Sequence, residues 1–166
     1  MAIEDLGPAE RFVAGAIGEP GNRRFYLQVT ASGVTHTLLA EKQQVAALAE
    51  QGLQILDARG ITSDQAAVDA ILAGDLEVID PGVDGERFRV GDISIGMSES
   101  ELLTIAVASA EDDDGIRFVI APEQFRAMAQ VGLDVVAAGR PTCRWCRLPM
   151  NPDGHECPAR NGHHRG

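Results

Sequence analysis

Three cysteines fall within fifteen residues of one another: Cys143, Cys146 and Cys157. The first two form Cys143-Arg144-Trp145-Cys146, and the third follows in His155-Glu156-Cys157-Pro158. A C-x2-C turn brings two thiolates to one side of the chain, and its backbone N–H groups stabilise the sulfur charge. Such a pair chelates one tetrahedral ion, and two more ligands close the site. An odd number of cysteines cannot close into intrachain disulfides, and this clustering is what metal binding predicts. Cys157 supplies the third ligand. The fourth is a histidine, with His155, His163 and His164 as candidates. Gly154 lets the chain turn into His155-x-Cys157, a second compact ligand pair, so His155 is preferred. His163 is the alternative, because C-x5-H from Cys157 is also feasible. A catalytic zinc would keep one position for water, with Glu156 as base. Four good ligands on a short terminal flap argue instead for a closed, structural Zn2+ site. The segment has too little apolar material for a core of its own. Metal must supply its folding free energy, on the order of 10–16 kcal/mol in such sites.

Other residues offer chemistry less specifically. Gly15-Ala16-Ile17-Gly18-Glu19-Pro20-Gly21 has the glycine count of a phosphate loop. A phosphate loop should open a helix; this one leads into the strand-like RRFYLQVT, so a β-turn is expected. Arg23 and Arg24 beside it are candidate anion ligands, or charges that blunt a sheet edge. His36 has no Cys or Ser partner nearby and reads as a satisfied or exposed strand residue. Glu111 to Asp114 lacks the alternating ligands of a calcium loop. No G-x-S-x-G, H-E-x-x-H or Walker sequence occurs, so no catalytic residue is assigned and the reading leans away from an enzyme.

The elements that must position these residues follow from periodicity. Arg11 to Gly18, Arg23 to Thr30 and Val34 to Ala40 read as strands, with Phe25, Leu27 and Val29 on one face. Glu19-Pro20-Gly21-Asn22 and Ser32-Gly33 are the turns between them. Glu41 to Ala58 is an amphipathic helix ending before Gly60. Arg87 to Gly96, Leu102 to Ser109 and Ile116 to Ile120 repeat the strands, with a hairpin turn at Asp113-Asp114-Gly115. Pro122 opens a second helix through Val136.

At an offset of 80 residues, Gln44-Val45, Leu48-Ala49 and Gly52-Leu53 fall on Gln124-Phe125, Met128-Ala129 and Gly132-Leu133. The expected fold is therefore α+β. Duplicated β-β-β-α units, about 9–58 and 87–138, pack into one domain over residues 1–139. Residues 59–86 link the units as an acidic surface stretch, with a short helix from Gln65 to Leu72 capped by Ser63 or Asp64. Residues 140–166 form a zinc-ribbon tail.

Composition bounds the function. A chain of 166 residues with 45% hydrophobic and 23% charged residues is an ordinary globular protein. No apolar run approaches the roughly 18 residues of a membrane span, and the start Met1-Ala2-Ile3-Glu4-Asp5 does not resemble a signal peptide. A cytoplasmic protein is expected. The net charge of -11 divides into +3 on residues 140–166 and -14 on the rest. So acidic a body argues against wrapping duplex DNA. The basic tail can touch nucleic acid, dock on the acidic body or meet an acidic partner, or simply stay solvated.

Taken together, ERFVAGAIGEPGNRRFYLQ (Glu10–Gln28), EKQQVAALAE (Glu41–Glu50), FRVG (Phe88–Gly91) and CRWCRLPMNPDGHECPARNGH (Cys143–His163) resemble the actinobacterial DUF3090 family. The resemblance implies a cytoplasmic protein encoded beside a kinase-like and a histidine-phosphatase-like protein. It also implies metal binding at Cys143, Cys146, His155 and Cys157; tyrosine often stands at the position of His163 in the family. It carries no catalytic residues. The leading expectation is a non-enzymatic adaptor with a protein partner. The alternatives are an enzyme or sensor for a phosphorylated small molecule at Arg23, Arg24 and the Gly15–Gly21 turn, or nucleic-acid binding through the tail.

Overall fold

The computed structural model describes residues 2–19 and 21–138. Seven strands and three helices follow one another as β1 (Ala2–Pro8), β2 (Arg11–Ile17), β3 (Arg24–Ala31), β4 (Val34–Ala40), α1 (Lys42–Ala58), α2 (Gln65–Leu72), β5 (Phe88–Met97), β6 (Leu103–Ser109), β7 (Asp114–Ile120) and α3 (Pro122–Ala138). The fold is mixed α+β.

The strands form one sheet in the order β1-β7-β6-β5-β4-β3-β2. Its two edge strands are consecutive in the chain and separated only by Ala9 and Glu10. Ala9 N donates to Val119 O at 2.8 Å, and Glu10 N donates to Thr30 O at 2.7 Å. Neighbouring residues thus bond to opposite ends of the sheet, which must curl until its ends meet at this corner. Across the closed interior Phe12 of β2 meets Phe118 of β7 edge-to-face, with ring centroids 5.0 Å apart.

Each half makes one antiparallel meander, β2-β3-β4 and β5-β6-β7. Each meander ends in a 17-residue helix. Alternation sends Phe12, Ala14, Leu27, Val29 and Leu38 to the core from the first meander, and Leu103, Ile105, Val107, Ile116 and Phe118 from the second. The halves join through two parallel pairs, Leu38↔Phe88 and Leu39↔Arg89.

The helices pack on the core side, against each other, and their contacts are reciprocal. A Cβ at Gly52 of α1 would lie 2.0 Å from the Phe125 ring of α3; one at Gly132 of α3 would lie 3.2 Å from Val45 of α1. Gln44 accepts from Glu41 N and donates to Val90 O. Gln124 accepts from Ala121 N and donates to Ala9 O. Each glutamine closes the first turn of its helix and ties it to the other half, Gln44 to β5 and Gln124 to the corner just before β2.

Several expectations change. β1 is an additional strand; its sequence, AIEDLGP, carries no long apolar alternation, and it pairs in parallel with β7. Asp114 and Gly115 belong to β7 rather than to the hairpin turn, because Gly115 pairs with Ala108. Asp64 caps α2 by accepting from Ala66 N. Ser63 instead accepts from Arg126 Nε at 2.8 Å, tying the start of the 59–86 segment to α3.

Candidate functional site

The 59–86 segment is a strap over the outer face of the first meander. Gln28 points away from the core and is 1% exposed. Its amide accepts from Ile79 N at 2.8 Å and donates to Ile79 O at 2.6 Å and to Thr37 Oγ1 at 3.0 Å. One buried side chain therefore satisfies both backbone groups of a strap residue, as a paired strand would. Arg11 holds Asp75 O and Glu77 O. Val78 lies over Gly15, where a Cβ would come within 2.5 Å of it. Gly15 is thus a close-packing glycine, which explains the glycine-rich run without any phosphate.

Where the strap runs on toward β5 it leaves a cleft of about 620 Å³ against the ends of β2 and β3. Its lining includes Ile17, Arg24, Tyr26, Asp80, Asp84 and Glu86. Tyr26 Oη donates to Glu86 Oε2 at 2.7 Å. Arg24 donates to Tyr26 Oη at 3.1 Å and to Glu86 Oε2 at 2.9 Å. Burial works to raise the Glu86 pKa, but the hydrogen bonds from Tyr26 and Arg24 prevail and lower it. Burial and the bond to Glu86 raise that of Tyr26. The knot is therefore fixed as a carboxylate, a neutral phenol and a guanidinium near neutral pH. Val83, which also lines the cleft, is 92% exposed.

The structure separates the two candidate anion ligands. Arg24 lines the cleft, already paired with Glu86. Arg23 turns the other way, over the Phe25 ring at 5.6 Å, and reaches Val135 O in the last turn of α3 at 3.4 Å, where the helix dipole favours a cation. With Asp80, Asp84 and Glu86 against one guanidinium, the cleft suits a cationic group better than a phosphate.

A second polar cluster joins three strands through Arg87, just before β5. Arg87 makes a two-pronged pair with Asp114 of β7, both bonds 2.9 Å. It also meets Glu4 of β1 at 2.8 Å and His36 Nδ1 of β4 at 3.0 Å. His36 is thus satisfied by a neighbour, and Asp114 of the acidic run is an ion-pair partner. This cluster and the Gln28 anchor escaped sequence reasoning. Gln28 alone left a signal: a glutamine between Leu27 and Val29 in an apolar strand must be met by something.

The zinc ligands proposed from sequence, Cys143, Cys146, His155 and Cys157 with His163 as alternative, lie outside the described residues. No group of three or more metal-ligating side chains occurs among the described residues, and no described helix is long and apolar enough to cross a membrane.

The sequence pattern that defines DUF3090, a protein family of unknown function, matches residues 5–157. The chain is a member of the DUF3090 family. No curated protein and no solved structure matches it. In this DUF3090 member the cleft between strap and sheet gathers Arg24, Tyr26, Asp80, Asp84 and Glu86.

Proposed function

We propose that the protein is a cytoplasmic, non-enzymatic binding module that takes a basic segment of a partner protein in the cleft beside the strap. The observation that supports this is the pairing of Asp80, Asp84 and Glu86 with the exposed apolar side chain of Val83 in one cleft. Carboxylates in a concave site attract and orient cationic side chains. Val83 supplies apolar contact area once they arrive. Arg24 and Tyr26 hold Glu86 in place, so the site is preorganised before binding.

The test is calorimetric titration of the full chain with a short Lys/Arg-rich peptide carrying one aromatic residue. Binding should weaken as salt is raised. The double variant D80N/D84N should weaken it at least tenfold, about 1.4 kcal/mol. Both replacement amides keep the shape of the carboxylates, and the amide oxygen at position 80 can still accept from Gly82 N as Asp80 does. Equal affinity of variant and wild type would sink the reading.

The zinc reading of the segment after α3 belongs to the same proposal. Cys143, Cys146, His155 and Cys157 hold one structural Zn2+, supported by the C-x2-C and H-x-C spacing. Elemental analysis of the purified chain should give one zinc per chain. Cys157→Ser and His155→Ala should lose it while His163→Ala keeps it; the reverse order for the two histidines would move the fourth ligand to His163.

We also read the two β-β-β-α passes as copies of one duplicated unit. The reciprocal Gln44/Gln124 and Gly52/Gly132 contacts support this.

A further inference from the structure

The strap is held to the first meander by side chains that read its main chain. Asp75 O and Glu77 O both accept from Arg11 of β2. Ile79 meets Gln28 of β3 through both its N–H and its carbonyl. No residue from 75 to 79 makes a backbone–backbone hydrogen bond among the described residues. Two side chains thus engage three carbonyls and one N–H of the strap. Their one charged contact with a strap side chain is long, Arg11 to Asp75 at 3.9 Å.

The rest of the hold follows the period of a strand. Leu76 and Val78 are half-buried, while Asp75, Glu77 and Ile79 are exposed, so alternate residues face the sheet. A Cβ on Gly15 would come within 2.5 Å of Val78; the missing side chain gives the branched one its seat. The face therefore recognises a main chain and apolar residues at alternate positions. Peptide sites built on sheets work in this way, with main-chain bonds for affinity and alternate side chains for specificity.

The segment is also built to leave. Gly74 precedes it, and Gly82, with a φ of +73°, follows it. Chain without a backbone ladder sits at the low-stability end of a fold, from which moving parts are drawn. Its release breaks no strand pairing, because Gln28 and Thr37 stay opposite each other in the β3-β4 ladder and bonded at 3.0 Å. Release carries Asp80 out of the cleft lining, whereas Glu86 remains tied to Tyr26.

We propose that the outer face of β2-β3-β4 is a peptide-binding site which the strap fills as an internal ligand, and that a partner's segment with branched apolar residues at alternate positions displaces it. This exchange does not depend on what the acidic cleft binds.

The test uses the full chain and a fluorescent peptide of the strap sequence Gly74–Asp80, GDLEVID. Val78→Asp weakens the internal ligand and leaves the face intact. A tethered competitor acts at an effective concentration on the order of millimolar. By fluorescence anisotropy Val78→Asp should therefore bind the peptide at least tenfold more tightly than the wild type. Adding Gly15→Val, which fills the seat, should abolish that binding. Equal affinity of Val78→Asp and wild type, or binding that survives Gly15→Val, would overturn the proposal. A second readout needs no substitution. Millimolar peptide should speed limited proteolysis of the wild-type chain between residues 73 and 86 several-fold, and a scrambled peptide of the same composition should not. Unchanged cleavage, or equal acceleration by both peptides, would also overturn it.

Discussion

Arg87 shows how one side chain can fasten parts of the chain that are far apart. Its guanidinium meets Glu4, His36 and Asp114, from β1, β4 and β7, at the junction where β5 begins. The planar fork fits the Asp114 carboxylate with two bonds, which lysine cannot reproduce. Arg87→Lys should therefore destabilise the fold by about 1–2 kcal/mol in urea melts, despite keeping the charge. His36 gives the cluster a pH dependence. Burial, then the Arg87 charge, lowers its pKa, against smaller opposing effects of Glu4 and Asp114. The folded state thus binds fewer protons than the unfolded one around pH 6. Stability should fall as pH drops through and below about 6.5, the unfolded histidine value. Asp114 acts in a separate window: the Arg87 bonds lower its pKa, so its contribution is lost only as pH falls below about 4. Thermal melts from about pH 7.5 to 5 should show the histidine slope in the wild type and lose it in His36→Gln. A slope that survives the substitution would assign it elsewhere.

The helix pair is where sequence similarity and geometry separate. Gly52 and Gly132 occupy matching positions, yet one is far tighter. A Cβ at Gly52 would run into the buried Phe125 ring at 2.0 Å, whereas one at Gly132 would press Val45 and Ala14 at 3.2 and 3.3 Å. Overpacking of the first kind costs about 1–3 kcal/mol. At the second site the gain of roughly 1 kcal/mol in helix propensity offsets mild crowding. Chemical denaturation should rank Gly52→Ala well below wild type and Gly132→Ala close to it; equal losses would refute the asymmetry.

These helices, and six of the seven strands, were legible in the sequence because each carries its own apolar period. Of the residues repeated at an 80-residue offset, Gln44 and Gln124 make matching hydrogen bonds at the starts of their helices. What was not legible depends on distant partners. β1 has no period of its own and exists because β7 offers an edge. The strap looked like a plain surface linker, since Gln28, Arg11 and Gly15, which hold it, lie some fifty or more residues away. The same blindness applied to Arg23 and Arg24. Adjacent in sequence, they point to α3 and to the cleft respectively, because alternate residues of a strand face opposite ways.

At the scale of the whole molecule, the corner at Ala9 and Glu10 governs the order of assembly. β1 finds its partner 112 residues downstream, where Ala2 lies beside Asp114. During synthesis the first meander and α1 can form early from local contacts. β1 must wait for β7 to leave the ribosome, roughly ten seconds at typical elongation rates. Until then Phe12 lacks Phe118, and the sheet stays an open trough with an apolar floor. Closing so large a loop contributes to slow folding. Chaperone capture of nascent chains should therefore concentrate in the interval before residue 120 emerges, and the N-terminal strand, made first, is among the last parts of the body to be fixed.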